Sequence, residues 1–411
     1  MRLNVLGLWV LLSGLIPCLA LSALADQSEL RRQSNAHQMF LLRNALSKQP
    51  GSSDFYAGQV ACAFNDSATC EEKFRKVLGK NPKSAAAKQI HQILAASALR
   101  EGRYGRSLQE IDALLALDPN DRDAKGSRPL IEVLSRFPDQ AVQGVTKATV
   151  QMDDGKLPLL INGKKASYFF DTGANLSVLT ESEAVQFGME IQEIKSGTST
   201  DINGNKVLYR VALANSLTLG GIELRNVAFL IAGNDQQPFV DMRPGQRGLI
   251  GLPVLWAFGS MTWTREGVFE ADRLPVPANL SAANIFFDDM DLITQARFER
   301  HALPFVLDTG AAASDLWPRW AKICWSGCRL DSQVWYSGIS HDNGDGRDPE
   351  VRSYIHSQNS VKARRDFSRS STGSYPQDPA EGRRQMVLWQ PGRRPASSGA
   401  NGHVRFQNDE P

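Results

Sequence analysis

Signs of metal, redox or polyanion chemistry are scarce in this chain. Five cysteines are spread over 411 residues, too few for a disulfide scaffold, and none forms the C-x-x-C pair of a zinc site. HExxH, GxSxG and Walker A patterns are absent, so the common sequence marks of zinc proteolysis, serine hydrolysis and nucleotide hydrolysis are missing. Charge of one sign is scarce too: 46 Lys plus Arg against 44 Asp plus Glu leave a net +2. That surplus creates no long-range field for nucleic acid, which is not expected as a partner. The six histidines are scattered, and His301 reads as a strand or turn residue. What is plentiful is apolar sequence, at 42%, enough with this length for two or three domains with ordinary cores.

Arg2 precedes an uncharged apolar run from Leu3 to Leu24, and Ala23-Leu24-Ala25 ahead of Asp26 has the small-x-small form of a cleavage site. This predicts a signal peptide over 1–25 and an exported protein, periplasmic or extracellular. An uncleaved membrane anchor is the alternative, because the run is long enough to span a bilayer. Cys18 follows Pro17, a poor fit to an acylation box. Outside the cytoplasm Cys62 and Cys70 could oxidise to a disulfide; otherwise they are two buried thiols.

Residues 30–140 read as helical. Phe74-x-x-Val77-Leu78 closes on Asn81-Pro82, and Ile111-x-x-Leu114-Leu115-x-Leu117 closes on Asp118-Pro119, each a helix stopped by a proline that cannot continue it. Small residues at Ala95, Ala96 and Ala98 permit close helix contact, and Gly102 supplies a turn. The pattern resembles tetratricopeptide-type helical hairpins, a resemblance that implies a surface for a peptide or protein partner. A helical prodomain or spacer is the alternative. Cys62 and Cys70 would lie across one such turn.

Beyond Gln140 the period becomes alternating, and Val145 to Met152, Leu157 to Ile161 and Ala166 to Phe170 read as strands split by Asp153-Asp154-Gly155 and Asn162-Gly163 turns. Tyr168-Phe169-Phe170 then runs into Asp171-Thr172-Gly173-Ala174, and Phe305-Val306-Leu307 runs into Asp308-Thr309-Gly310-Ala311. The same tetrapeptide follows the same apolar approach twice, with Met290 to Arg297 reading as a strand and turn before the second copy. Two carboxylates brought face to face cannot both ionise cheaply and share one proton. The ionised member can then act as general base on a water while the protonated one polarises a carbonyl. Threonine can hydrogen-bond across to the other loop, and glycine admits backbone N–H groups close to each carboxylate.

The doubled motif resembles aspartic proteases of the retropepsin and pepsin clan, with DTGA closer to the retropepsin form. The resemblance implies an α+β multidomain protein: helical hairpins, then an all-β acid-protease-like fold with a first lobe over 145–275 and a second beginning over 284–322. It also implies Asp171 and Asp308 as the catalytic pair, supported by Thr172, Gly173, Thr309 and Gly310, and no cofactor or metal. Gly248-Leu249-Ile250-Gly251-Leu252 fits the apolar pair and glycine that thread beneath the catalytic loop in that family; a buried strand with a glycine turn is the plainer reading. Thr198 to Val211, centred on Asn203-Gly204-Asn205, fits the substrate-covering flap or any exposed hairpin, and it has no tyrosine at its tip.

Residues 323–411 do not continue the pattern. They are rich in Ser, Arg, Gly, Asp and Asn, yet hold 12 Lys plus Arg against 10 Asp plus Glu, so they form no basic arm. Disorder is the simple reading. A second lobe, however, needs its remaining strands here. With synonymous codons and a shift of one base, Ile323 to Gly344 permit FAGQAVDSILKSGTLESHTTTG, and Leu388 to Asp409 permit YGNLGVDLLQAGRTVTFDFKTM. The latter holds a Gly-Asn-Leu-Gly element followed by strand residues, which points to a frameshift near Ile323, whether a sequencing error or a true lesion. The expectation is an exported aspartic endopeptidase acting on peptides or proteins, weak or inactive as this monomer unless the first lobe pairs with itself as a homodimer. The rival is a non-catalytic peptide- or protein-binding module that uses the helical repeats.

Overall fold

The computed structural model describes residues 27–200, 206–264, 266–273, 283–298, 301–311, 384–387 and 406–408. One compact unit takes in 1–295, 304–310 and 382–411, and holds the helices, the large sheet and both DTG loops. The second takes in 296–303 and 311–381; its described residues are 296–298, 301–303 and Ala311. The expected signal peptide over 1–25 lies outside the described residues. Among those described, no helix is long and apolar enough to cross a membrane.

Seven helices come first: α1 (27–35), α2 (Met39–Lys48), α3 (Asp54–Ala63), α4 (Ser67–Lys80), α5 (Ala85–Arg100), α6 (Tyr104–Leu117) and α7 (Arg122–Leu134). Their starts are set by side chains that accept orphan backbone N–H groups: Ser53 from Tyr56, Asp66 from Thr69, Ser84 from Ala87 and Asp121 from Ala124. Asn81-Pro82 and Asp118-Pro119 follow the ends of α4 and α6. Gly102, at φ +68°, turns α5 into α6, a conformation that costs glycine nothing. Cys62 near the end of α3 and Cys70 near the start of α4 are joined in a disulfide, packed with Phe74, Ile90 and Leu94.

The β region begins just past Gln140, at β1 (Ala141–Gly144), a strand not singled out from sequence. This strand is largely exposed and pairs only with β8, so it lacks the apolar alternation that marks a half-buried strand. Then come β2 (Lys147–Gln151), β3 (Lys156–Ile161), β4 (Lys164–Phe170), β5 (Ser177–Thr180), α8 (Glu181–Gln186), β6 (Ile191–Thr200), β7 (Lys206–Leu219), β8 (Ile222–Ala232), β9 (Gly248–Ile250), α9 (Leu252–Phe258), β10 (Ser260–Trp263) and β11 (Val268–Asp272). The order in the large sheet is β1-β8-β5-β9-β4-β3-β7-β6, and β7 also pairs with β8, so six of its strands close on themselves. Leu157, Leu159 and Ile161 of β3 and Ala166, Tyr168 and Phe170 of β4 point into this barrel. Each large apolar side chain so buried contributes roughly 1.5–3 kcal/mol.

The strand read over Met290 to Arg297 is present one residue later, as β13 (Asp291–Phe298), and a further strand, β12 (Ile285–Asp288), precedes it. The two form a hairpin turning at Asp289-Met290, where Asp289 takes φ +50°, a region short polar side chains tolerate. β14 (His301–Val306) then leads to Asp308. In the tail, read above as disordered or frameshifted, β15 (Arg384–Val387) pairs with β10, and β16 (Phe406–Asn408) pairs with β15. Main-chain pairing makes few demands on side chains, so a segment without apolar periodicity can still extend a sheet edge.

Helices and barrel share cores. Ile111, Leu114, Ile131 and Leu134 pack with Leu176, Ile194, Val211 and Ala228, while Leu30, Phe40 and Phe64 pack with Ala283 and Phe286. Inside the barrel, the Tyr168 hydroxyl donates to Glu183 Oε2 at 2.8 Å, and Glu183 Oε1 accepts from Gly245 N at 2.6 Å. Glu183 is buried, so each oxygen depends on its donor. Tyr168→Phe should therefore lower unfolding stability by about 1–3 kcal/mol, measured by urea denaturation.

Candidate active site

Strand β4 is parallel to β9, with Phe170 opposite Ile250, and Asp171 N donates to Ile250 O at 2.8 Å. This fixes where the first DTG loop leaves the sheet. The second loop is fixed from β13: Leu307 N donates to Leu292 O at 2.7 Å, immediately before Asp308. Residues 137 positions apart in the chain are thereby brought to one place.

The two loops then exchange hydrogen bonds reciprocally. Thr172 N donates to Thr309 Oγ1 at 3.0 Å, and Thr309 N donates to Thr172 Oγ1 at 3.1 Å. Each hydroxyl passes its own proton onward, Thr172 Oγ1 to Leu307 O at 2.6 Å and Thr309 Oγ1 to Phe170 O at 2.8 Å. Each threonine accepts from the opposite loop and donates into the residue that leads into that same loop, so neither loop can shift alone.

Within each loop glycine completes the cradle. Gly173 N donates to Asp171 Oδ1 at 2.9 Å and Gly310 N to Asp308 Oδ1 at 2.8 Å. A β-carbon on Gly173 would lie 2.7 Å from the Asp308 carboxyl carbon, and one on Gly310 2.5 Å from that of Asp171. Each glycine is thus packed against the opposite aspartate, and a side chain there would push the pair apart. The carboxyl of Asp171 is raised to about 6 by burial, by the charge of Asp308 and by a hydrogen bond with it, against the pull of the Gly173 and Ala174 N–H groups. Burial and the neighbouring like charge thus both disfavour the ionised form of Asp171.

Leu249, Ile250 and Gly251 lie directly beneath. β9 sits between β4 and β5 in the sheet, Gly251 N donates to Ser177 Oγ at 3.0 Å, and Leu252 N donates to Ala174 O at 2.9 Å. A β-carbon on Gly251 would meet Leu176 backbone at 2.5 Å. Ser177 was not singled out from sequence, since a lone serine carries no motif; its place six residues after Asp171 matters only once β9 runs under the loop. The hairpin read as Thr198 to Val211 is longer, formed by β6 and β7 with Thr200 opposite Lys206 and a register shift between Glu193 and Thr198. Its central residues Asn203, Gly204 and Asn205 lie outside the described residues. Among the described residues, no group of His, Cys, Asp and Glu is arranged to hold a metal ion.

Residues 157–254 match the aspartyl protease family. They hold β3, β4, Asp171 and the Leu249–Gly251 element, so an aspartyl protease domain occupies this part of the chain. Among solved structures, the chain is similar to a retropepsin-like aspartic protease from Rickettsia conorii, at 17% identity over 33% of this chain and 96% of that one, with a TM-score of 0.23. No curated protein sequence matches.

Two outcomes follow from this geometry. Gly310→Ala should reduce peptide cleavage by about a hundredfold, the cost of displacing a catalytic group by roughly 1 Å, as read from initial rates. For stability, the Asp171 carboxyl is higher in the folded chain than its ordinary 3.8, so the native state binds more protons than the unfolded state between about pH 4 and 6. Its contribution therefore weakens as pH rises through that window. Melting temperatures should show Asp171→Asn gaining on the parent protein from pH 4 to 6 and holding that gain above.

Proposed function

We propose that this protein is an exported aspartic endopeptidase in which Asp171 and Asp308 activate a water against a peptide carbonyl. The observation that carries the reading is the reciprocal Thr172–Thr309 exchange, which orients two aspartates toward each other with a glycine against each. One carboxylate takes a proton from the water as the water's oxygen bonds to the scissile carbonyl carbon; the protonated partner donates to the carbonyl oxygen. The proton gained then passes to the leaving nitrogen as the C–N bond breaks, while the partner carboxylate takes a proton back from a hydroxyl of the tetrahedral intermediate as the C=O bond re-forms, so the pair again shares one proton. The bonds from Gly173 N and Gly310 N hold both carboxyls in place throughout, so little reorganisation accompanies the step.

Pairing within one chain is favoured over a dimer of first lobes, because the groups on Thr172 that a second copy would need are already engaged by Thr309 and Leu307. Export is supported by the Cys62–Cys70 bridge, a bond that persists in oxidising compartments. The helix pairs α3–α4 and α5–α6 support the tetratricopeptide-like reading of the helical region. For residues after Lys322, a one-base frameshift remains our reading, carried by the alternate-frame strings, and a nucleotide read across codons 315 to 330 decides it.

Cleavage of a fluorogenic peptide is expected to be weak in this chain, whose second lobe we read as broken after its motif; pepstatin should inhibit it, and Asp171→Asn and Asp308→Asn should each bring it to background while far-UV circular dichroism is retained. Cleavage should also decline as pH rises past about 6, where the Asp171 carboxyl gives up its proton. Undiminished turnover in either variant overturns the assignment.

A further inference from the structure

A cavity of about 580 Å3 opens between α5, α6 and α7 on one side and the first DTG loop on the other. Its size falls within the range of roughly 300–1,000 Å3 usual for ligand sites. One wall is Gly173, Ala174 and Asn175, the residues that follow Asp171-Thr172. Gly173 also packs against the Asp308 carboxyl, so the cavity lies beside the candidate dyad, one residue away from it, under the helices. The opposite wall is apolar, with Leu99, Ile111 and Leu130 contributed by three successive helices.

Asp121, Asp123 and Asp289 line it, and among the described residues no lysine, arginine or histidine does. Asp289 accepts from Gln92 and is faced by Arg100 and His37, so the acidic character of the mouth comes from Asp121 and Asp123 at the start of α7. Asp121 uses Oδ1 to cap α7, while Asp123 stands exposed. Of the cations of α7, Arg128 bonds Asp112 and Glu132, Lys125 bonds Asn120, and Arg122 is exposed between the two aspartates. An apolar wall beside two acidic side chains complements a chain segment in which an apolar residue stands next to a cationic one.

We infer that this cavity extends the substrate cleft, and that the helical region acts as its wall by selecting peptides with a basic residue beside an apolar one in the stretch flanking the scissile bond. The inference rests on the endopeptidase reading above and names the substrate class for it. The helices are then part of the enzyme's specificity rather than a separate module. A substrate long enough to reach α7 gains contacts that a short one does not.

The test compares a short fluorogenic peptide with the same peptide lengthened at both ends by Lys-Leu or by Glu-Leu, using the full chain. The Lys-Leu peptide should be cut with the higher kcat/KM. Asp123→Arg, an exposed substitution, should lower the ratio of Lys-Leu to Glu-Leu cleavage by about fivefold, near the upper limit for one charge contact. Ser127→Trp, at an exposed lining position, should lower the ratio of long to short peptide cleavage. Ratios unmoved by both variants overturn the inference while leaving the endopeptidase reading standing. Fluorescence anisotropy of labelled Lys-Leu peptide on Asp171→Asn gives a second readout. If the parent protein cuts nothing, the endopeptidase reading fails, and weakened binding on adding Asp123→Arg still supports the cavity as a peptide site, whereas unchanged binding overturns it.

Discussion

The structure hinges on two threonine hydroxyls. A carboxyl pair with a shared proton is an unfavourable arrangement, since burial and like charge both oppose ionisation of Asp171. It persists only where the surroundings hold the two groups together against that repulsion. The exchange between Thr172 and Thr309 supplies this with four hydrogen bonds between 2.6 and 3.1 Å. None depends on a long or rotamer-rich side chain, so little conformational entropy is lost in making them. The glycines then fill the remaining space, each against the opposite aspartate.

Everything else in the described unit bears on where these loops sit. β9 runs beneath the first loop and takes up Asp171 N, Ser177 Oγ and Ala174 O. The second loop is held by Leu292 of β13, whose hairpin is in turn gripped by the helices. His37 Nδ1 meets Asp288 Oδ1 at 2.6 Å, Gln92 donates to Asp289, and Arg100 donates to the Asp289 carbonyl while stacking over Phe287. Burial drives Arg100 down to about 10, which leaves the guanidinium charged at neutral pH. A continuous run of contacts thus links the helical region to Asp308, and it explains why the helices and barrel share cores instead of meeting through a flexible linker.

The sheet shows how backbone demands and side-chain patterns diverge. β3 and β4 were legible because both alternate cleanly about a buried face, with Leu157, Leu159 and Ile161 on one and Ala166, Tyr168 and Phe170 on the other. β1 was not, since it is held by main-chain pairing to β8 while its side chains stay largely outside. β15 likewise is placed by main-chain pairing, at the β10 edge. β12 and its turn into β13 were not singled out from sequence, because Asp289 accepts a left-handed conformation without the glycine that would have announced it.

The sequence by itself determined the chemistry available: two aspartates, each followed by threonine and glycine, each preceded by an apolar strand, and a glycine-flanked Leu249-Ile250 element at a workable distance. Those features are local, and local patterns are written in consecutive residues. It also marked helices through the prolines that follow them and through Gly102. Only the tertiary structure decided that Thr172 and Thr309 bond crosswise, that Ser177 receives Gly251, that the Asp289 turn is seated on Gln92 and Arg100, and that the helices wall a cavity beginning at Gly173. Each of these joins groups far apart in the chain through directional hydrogen bonds or shape, and no periodicity records a partner that folding alone brings within 3 Å.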